Sequence, residues 1–125
     1  MAFTFILDNV VNNKLKAMSE SWPFMKPVNK KLVKDYYEII KKPMDLEAVA
    51  KKVKCKQCLF FHAFYLVHVL SGHKYHSCQE FLTDIELIYN NCVLYNGADS
   101  PFTLKAEQLL NTSKILLDEV NKLLF

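Results

Sequence analysis

The sequence has no arginine, only two glycines and no apolar run long enough to cross a membrane. All 16 basic residues are therefore lysines. Bidentate recognition of guanine edges is chiefly done by arginine, so we expect no sequence-specific binding of nucleic acid. Lysines are frequent in the first half, where a solvated surface is favoured over a weak, salt-sensitive phosphate site. The apolar stretch at residues 59–70 is shorter than the roughly 20 residues of a transmembrane helix.

The chain also lacks the patterns that catalysis requires. It has no Gly-rich phosphate loop, no pairing of a nucleophile with a base and no pair of acids on one helix face. We therefore predict a protein that is not an enzyme and needs no cofactor. The N-terminus has no pattern of a secretory signal, so we expect an intracellular location. In that setting the four cysteines are expected to be free thiols or metal ligands rather than disulfides.

The length of 125 residues predicts one domain, residues 1–125. Apolar residues at helical spacing predict four amphipathic helices, which together form a bundle. The first helix ends near Ser19, and prolines keep much of the following stretch, 21–43, non-helical. The second helix begins at Pro43 and the third runs from about Ser77 to Tyr95. The fourth begins at Pro101, with Asp99 or Ser100 as its cap, and Phe102 opens its apolar stripe.

A short set of motifs follows this helical pattern. An apolar repeat on the third helix ends at Tyr95-Asn96-Gly97, where an asparagine is usually only a cap or turn residue. Three further motifs precede it in order, namely Trp22-Pro23-Phe24, Asp35-Tyr36-Tyr37 and Pro43-Met44-Asp45-Leu46. In this order the motifs, over residues 3–54 and 73–122, resemble a bromodomain. The resemblance implies an all-α, left-handed four-helix bundle that binds acetyl-lysine.

Within that family, residues 27–31 and 33–37 look most like the bromodomains of the largest subunit of the general transcription factor TFIID. The resemblance also implies roles for individual side chains. Asn96 would donate to the acetyl carbonyl, and Tyr36 would reach the same oxygen through a water. The remaining expected acetyl-lysine-binding residues are apolar or aromatic. They are Phe24 and Val28 in the wall, Cys92 on the floor, Tyr95 beside Asn96, Phe102 at the gatekeeper position, Trp22 and Pro23 on the outer shelf, and Leu32 and Val33 on the loop side.

Asp45 is expected to cap the second helix rather than to contribute to the pocket. Lys34 stands where many bromodomains have proline, and we expect this to leave binding intact.

Residues 55–72, here called the insertion, do not fit the resemblance, because family members join the second and third helices by a short loop. Three interpretations remain open: a second helix that continues without a break, a strand-like flap, or extra coding sequence without a function. A zinc site is a fourth, from Cys55 and Cys58 with His73 and His76. The histidine spacing is one residue short of the usual finger and no ligand-bearing hairpin is evident, so we predict no metal.

The sequence thus predicts a nuclear, non-enzymatic reader of acetyl-lysine in a histone tail or another acetylated protein involved in transcription or chromatin regulation. The alternative is a protein-interaction scaffold that keeps the bundle and uses the apolar insertion to bind a protein partner. We expect the insertion to lie at the end of the bundle away from Asn96 and to leave the pocket open.

Overall fold

The computed structural model describes residues 2–54 and 75–124. Seven helical segments follow one another in this part of the chain. They are α1 (Ala2–Asn9), a π-helix (Val10–Leu15), a 3-10 helix (Ser19–Phe24), α2 (Tyr36–Ile39), α3 (Leu46–Val53), α4 (Cys78–Asn96) and α5 (Pro101–Leu124). These residues contain no β-strand, which confirms the predicted all-α class.

The four predicted helices correspond to α1 with its π-helix, α3, α4 and α5. Each contributes apolar side chains to one shared core. The main contributors are Leu7, Val11 and Leu15, then Leu46, Val49 and Val53, then Phe81, Ile85 and Ile88, and finally Leu109, Leu117 and Val120. Full burial of a side chain of this kind stabilises the fold by about 1.5–3 kcal/mol. The bundle is thus held by the amphipathic stripes, and its left-handedness stays a prediction.

The first predicted helix is divided and ends earlier than expected. The Lys16 amide donates to the Val11 carbonyl oxygen over 2.9 Å, five residues back, which is π-helical spacing. Val10 and Val11 are both buried, although they are neighbours in the chain. The helical path stops at Leu15 rather than near Ser19. There the buried Ser21 hydroxyl donates to the Leu15 carbonyl oxygen over 2.5 Å.

Helix α3 begins at Leu46 and not at Pro43. Asp45 has an extended backbone, and its side chain accepts from the Ala48 amide over 3.3 Å. Asp45 is therefore the N-cap, as predicted, and Pro43 lies two residues before it, outside the helix. The helix ends at Val53, with Lys54 as its C-cap. The interpretation of a second helix that continues into the insertion falls on residues 55–72, which lie outside the described residues.

Helices α4 and α5 begin at hydroxyl caps. The Ser77 hydroxyl accepts from the Glu80 amide over 3.1 Å, and the Ser100 hydroxyl accepts from the Phe102 amide over 3.2 Å. Phe102 was predicted to open the apolar stripe of α5, but it is 41% exposed. Its neighbour Thr103 is buried instead, and the Thr103 hydroxyl donates to the Gly97 carbonyl oxygen just after α4.

A polar cluster inside the bundle joins α3 to α4. The buried Asp84 carboxylate accepts from the Lys52 ammonium over 2.6 Å and from the Tyr75 hydroxyl over 2.5 Å. Lys52 Nζ also lies 4.9 Å from the centre of the Tyr75 ring. Lys52 belongs to α3 and Tyr75 precedes α4, so Asp84 connects the chain on both sides of residues 55–74.

We expect Tyr75→Phe to reduce the alkaline sensitivity of the fold. Burial, and then the hydrogen bond to Asp84, raise the pKa of the Tyr75 hydroxyl above its ordinary value of 10.0. With a raised folded-state pKa, the stabilisation is complete below pH 10 and is lost as the pH rises further. Because the folded state keeps this proton and the unfolded state loses it, the free energy of unfolding falls by about 1.4 kcal/mol per pH unit above the unfolded-state pKa. Urea unfolding of both proteins between pH 8 and 11 measures the slopes, and equal slopes would contradict the assignment.

The insertion and the residues Cys55, Cys58 and His73 lie outside the described residues, as does the predicted scaffold surface. His76 is described, and its backbone amide donates to the Glu80 carboxylate over 3.2 Å. Within 2–54 and 75–124, no group of three or more His, Cys, Asp or Glu residues could hold a metal ion. Among the helices of these same ranges, none combines the length and the apolar character that a membrane crossing requires.

Candidate functional site

A cavity of about 270 Å³ opens at the C-terminal end of α4. Its walls come from the 3-10 helix, the loop between that helix and α3, the end of α4 and the first turn of α5. The lining residues are Trp22, Pro23, Phe24, Lys26, Pro27, Val28, Val33, Tyr36, Pro43, Met44, Asp45, Ile88, Cys92, Tyr95, Asn96 and Phe102. Most of them are apolar or aromatic, so the cavity offers a largely apolar surface with few polar groups.

Asn96 presents an amide to this cavity because α4 ends there. Gly97 follows with φ 92°, a left-handed conformation that favours glycine, and its amide donates to the Val93 carbonyl oxygen over 2.8 Å. Asn96 Nδ2 donates to Cys92 Sγ over 3.5 Å. Within the described residues, this side-chain contact therefore runs from the amide nitrogen of Asn96 to the Cys92 thiol. The second N–H of that nitrogen remains able to donate to a ligand.

Three tyrosines form a cluster beside the cavity, and two of them, Tyr36 and Tyr95, line it. The Tyr36 ring centre lies 5.2 Å from that of Tyr37 and 5.0 Å from that of Tyr95. Two of the hydroxyls have protein acceptors: Tyr37 donates to the Val28 carbonyl oxygen over 2.6 Å, and Tyr95 donates to the Asp35 carboxylate over 2.7 Å. The first bond fixes the backbone of the wall residue Val28, and the second ties the end of α4 to the loop.

Tyr36 is the ring that contacts both of the other two tyrosines. Burial, followed by the nearby Tyr37 and Cys92, raises the pKa of the Tyr36 hydroxyl above its ordinary value. Like an ordinary tyrosine, with a pKa of about 10, the group is protonated at neutral pH and able to donate. Tyr36 also lines the cavity, so its hydrogen-bonding capacity is available at the site.

Trp22 and Phe102 flank the cavity from different elements. Their ring centres lie 5.9 Å apart, at an interplanar angle of 69°, an edge-to-face arrangement that aromatic rings favour. Trp22 is 63% exposed and Phe102 is 41% exposed. Because they are this open to solvent, they suit a role at the mouth of the cavity rather than in the core.

A family model described as "Bromodomain" matches residues 5–108. The chain belongs to the bromodomain family. Subunit 1 of the transcription initiation factor TFIID from Drosophila melanogaster is 41% identical over 98% of this chain and 5% of its own length. The histone acetyltransferase GCN5 of Debaryomyces hansenii is 38% identical over 71% of this chain and 16% of its own length. The chain thus spans a small part of these curated relatives.

The solved structure of the bromodomain from human BAZ1A superposes with a TM-score of 0.71. It is 30% identical in sequence, and the match covers 93% of this chain and 92% of that one. The resemblance to the bromodomains of the TFIID subunit is confirmed by the fly relative, and the bundle fold is confirmed by the BAZ1A domain.

Almost all residues predicted for the bromodomain site line the cavity. Leu32 is the one that does not, and it is 81% exposed. Its role on the loop side of the pocket stays a prediction. Turn hydrogen bonds from the amides of Leu32 and Val33 to the Asn29 carbonyl oxygen shape this stretch. Val33, and not Leu32, then contacts the cavity.

Six lining residues were not predicted for the bromodomain site: Lys26, Pro27, Pro43, Met44, Asp45 and Ile88. The sequence does indicate Ile88 as a lining residue, because it lies one turn before Cys92 in the apolar repeat. Asp45 was assigned to capping alone, yet it both caps α3 and lines the cavity. Burial raises the pKa of its carboxyl, partly offset by the Ala48 amide.

Proposed function

We propose that this bromodomain recognises acetyl-lysine in a peptide segment. The observation that carries the proposal is the position of the Asn96 amide, which is the side-chain amide in the lining of an otherwise largely apolar cavity. Acetyl-lysine has a carbonyl acceptor and a methyl group at the end of an apolar stem. One donor and an apolar sleeve are therefore what it needs. A cavity of about 270 Å³ suits one inserted side chain rather than a larger ligand.

The positions of the other lining residues support the roles proposed for them. Tyr36, with a protonated hydroxyl, would reach the acetyl carbonyl through a water. Phe24 and Val28 would contact the stem from the wall, while Cys92 and Ile88 would contact the acetyl methyl from the floor. Phe102 would pack over the entering side chain at the mouth.

Selectivity against unmodified lysine has two physical sources. An ammonium would bring its donors towards the Asn96 N–H, and it would lose hydration in an apolar slot at a cost of a few kcal/mol. The nearest ionisable groups do not compensate for this loss. Lys26 lines the cavity and would repel a second ammonium, and the carboxylate of Asp45 is already occupied by the N-terminus of α3.

The partners would be acetylated histone tails or other acetylated nuclear proteins. The relatives are a TFIID subunit and a histone acetyltransferase, and this supports a nuclear role in transcription or chromatin. We infer a binding module rather than an enzyme, because the family match covers a bromodomain alone. Affinity is expected to be modest, since one inserted side chain leaves little free energy after the cost of association.

The test is calorimetric titration of the whole chain with histone-tail peptides that carry acetyl-lysine and with the same peptides unmodified. We expect saturable binding of acetylated peptides and a dissociation constant at least about tenfold higher for their unmodified counterparts. Capped N-acetyl-lysine and capped lysine serve as controls that remove the peptide sequence. Equal binding of acetylated and unmodified ligands would refute the proposal.

A further inference from the structure

The hydroxyl of Thr103 belongs to α5 but contacts the end of α4. The side chain is 1% exposed, and its Oγ1 donates to the Gly97 carbonyl oxygen over 2.6 Å. The same oxygen lies 3.4 Å from the Cys92 carbonyl oxygen and 3.5 Å from Cys92 Sγ. Cys92 Sγ in turn accepts from Asn96 Nδ2 over 3.5 Å. Thr103, Cys92 and Asn96 therefore form one chain of polar contacts at the cavity floor.

Thr103 Oγ1 lies within reach of three acceptors, and their distances rank them. A threonine hydroxyl has a single hydrogen, and the shortest contact assigns it to the Gly97 carbonyl. The contact of Thr103 Oγ1 with Cys92 Sγ, at 3.5 Å, is then a weaker polar contact, because a thiol is only a weak donor and a weak acceptor. The same sulfur accepts from the Asn96 N–H over 3.5 Å. Each donor in such a chain polarises the next group. The Asn96 amide is thereby held with its nitrogen, and not its oxygen, against the thiol.

We propose that Thr103 and Cys92 are positioning residues that orient the Asn96 amide for the acetyl carbonyl. The inference rests on the acetyl-lysine function proposed above, and it adds what orients the Asn96 N–H that would donate to the acetyl group. With one Asn96 N–H held by the sulfur, the other is directed at the ligand. Thr103 also fixes Gly97, so it controls both the amide and the turn that ends α4.

Thr103→Val removes the hydroxyl and keeps the shape of the side chain. We expect it to raise the dissociation constant for an acetylated histone-tail peptide by about tenfold, the effect of one lost hydrogen bond on the orientation of the amide. Thr103→Ser restores the hydroxyl and should bring the constant back to within about threefold of wild type. The matched control is Ser113→Ala: Ser113 is a fully buried hydroxyl on the same helix that donates to the Leu109 carbonyl oxygen over 2.8 Å. Ser113→Ala should lower the melting temperature without changing peptide affinity.

A second readout does not depend on the ligand. In the free protein, the side-chain NH₂ resonances of Asn96 in a nitrogen–proton correlation spectrum should shift in Thr103→Val and in Cys92→Ala. They should stay near their wild-type positions in Thr103→Ser and Ser113→Ala. Unchanged Asn96 resonances in Thr103→Val, or equal loss of affinity in Ser113→Ala, would overturn the inference. Absence of acetyl-dependent binding by wild type would instead refute the proposed function, and the Asn96 resonances would still decide on the positioning.

Discussion

Asn96→Ala should raise the dissociation constant for an acetylated peptide by roughly 10- to 100-fold. The variant removes the side-chain amide of the cavity, so the acetyl carbonyl would be buried without its direct donor. Leaving a buried acceptor unpaired costs about 1–3 kcal/mol, which is one to two powers of ten in affinity. Calorimetric titration with acetylated and unmodified histone-tail peptides measures the effect.

Two further variants separate donation from packing. Asn96→Asp keeps the shape of the side chain but replaces the donor by an acceptor, so it should lose as much affinity as Asn96→Ala. Asn90→Ala removes an exposed asparagine from the same helix and should bind like wild type. Circular dichroism melting confirms that each variant is folded. Retention of acetyl-dependent binding by Asn96→Asp would show that Asn96 does not act as a hydrogen-bond donor.

The sequence predicted the helices and most of the cavity because both depend on local patterns. The amphipathic stripe of α4 placed Asn96 at a helix end, and Gly97 there has the positive φ that only glycine adopts readily. The aromatic and proline motifs placed Trp22 and Tyr36 near that end through the family resemblance. Capping of α3 by Asp45 was predicted for the same reason, since an N-cap depends on the residues that follow it directly.

Features that depend on tertiary contacts were not predicted. The π-helical turn rests on the five-residue hydrogen bond from the Lys16 amide to the Val11 carbonyl oxygen, which a period of 3.6 residues does not predict. Leu32 points to solvent because turn hydrogen bonds shape its loop. The buried position at the start of α5 holds the polar residue Thr103, because the Gly97 carbonyl oxygen after α4 accepts its hydroxyl. Such partners lie apart in the sequence, so the spacing of apolar residues does not reveal them.

Asp84→Ala should lower the free energy of unfolding by about 3 kcal/mol, near the lower end of the 3–5 kcal/mol typical of breaking a buried ion pair. The substitution leaves the Lys52 ammonium and the Tyr75 hydroxyl without their shared acceptor. The Lys52 side chain is 24% exposed and that of Asp84 is 12% exposed, so partial hydration of Lys52 keeps the loss at the lower end. Urea unfolding at pH 7 measures the change.

The exposed pair Lys122–Asp118 is the matched control, with N···O at 3.1 Å and side chains 75% and 65% exposed. Asp118→Ala should cost no more than about 0.5 kcal/mol. In a Lys52→Met background, Asp84→Ala should cost less, because no ammonium is left unpaired. A cost in Asp84→Ala no larger than that in Asp118→Ala would refute a stabilising role for the cluster.

Asp84→Ala also tests whether the polar cluster affects peptide binding as well as stability. Asp84 precedes Asn96 by about three turns of α4, roughly 18 Å along the helix axis, and it is not among the cavity-lining residues. At a temperature where Asp84→Ala is still folded, its dissociation constant for an acetylated peptide should match that of wild type. Asn96→Ala should show the opposite result, with near-normal stability and lost affinity. Weakened binding in folded Asp84→Ala would mean that the cluster controls the shape of the cavity as well as the stability of the bundle.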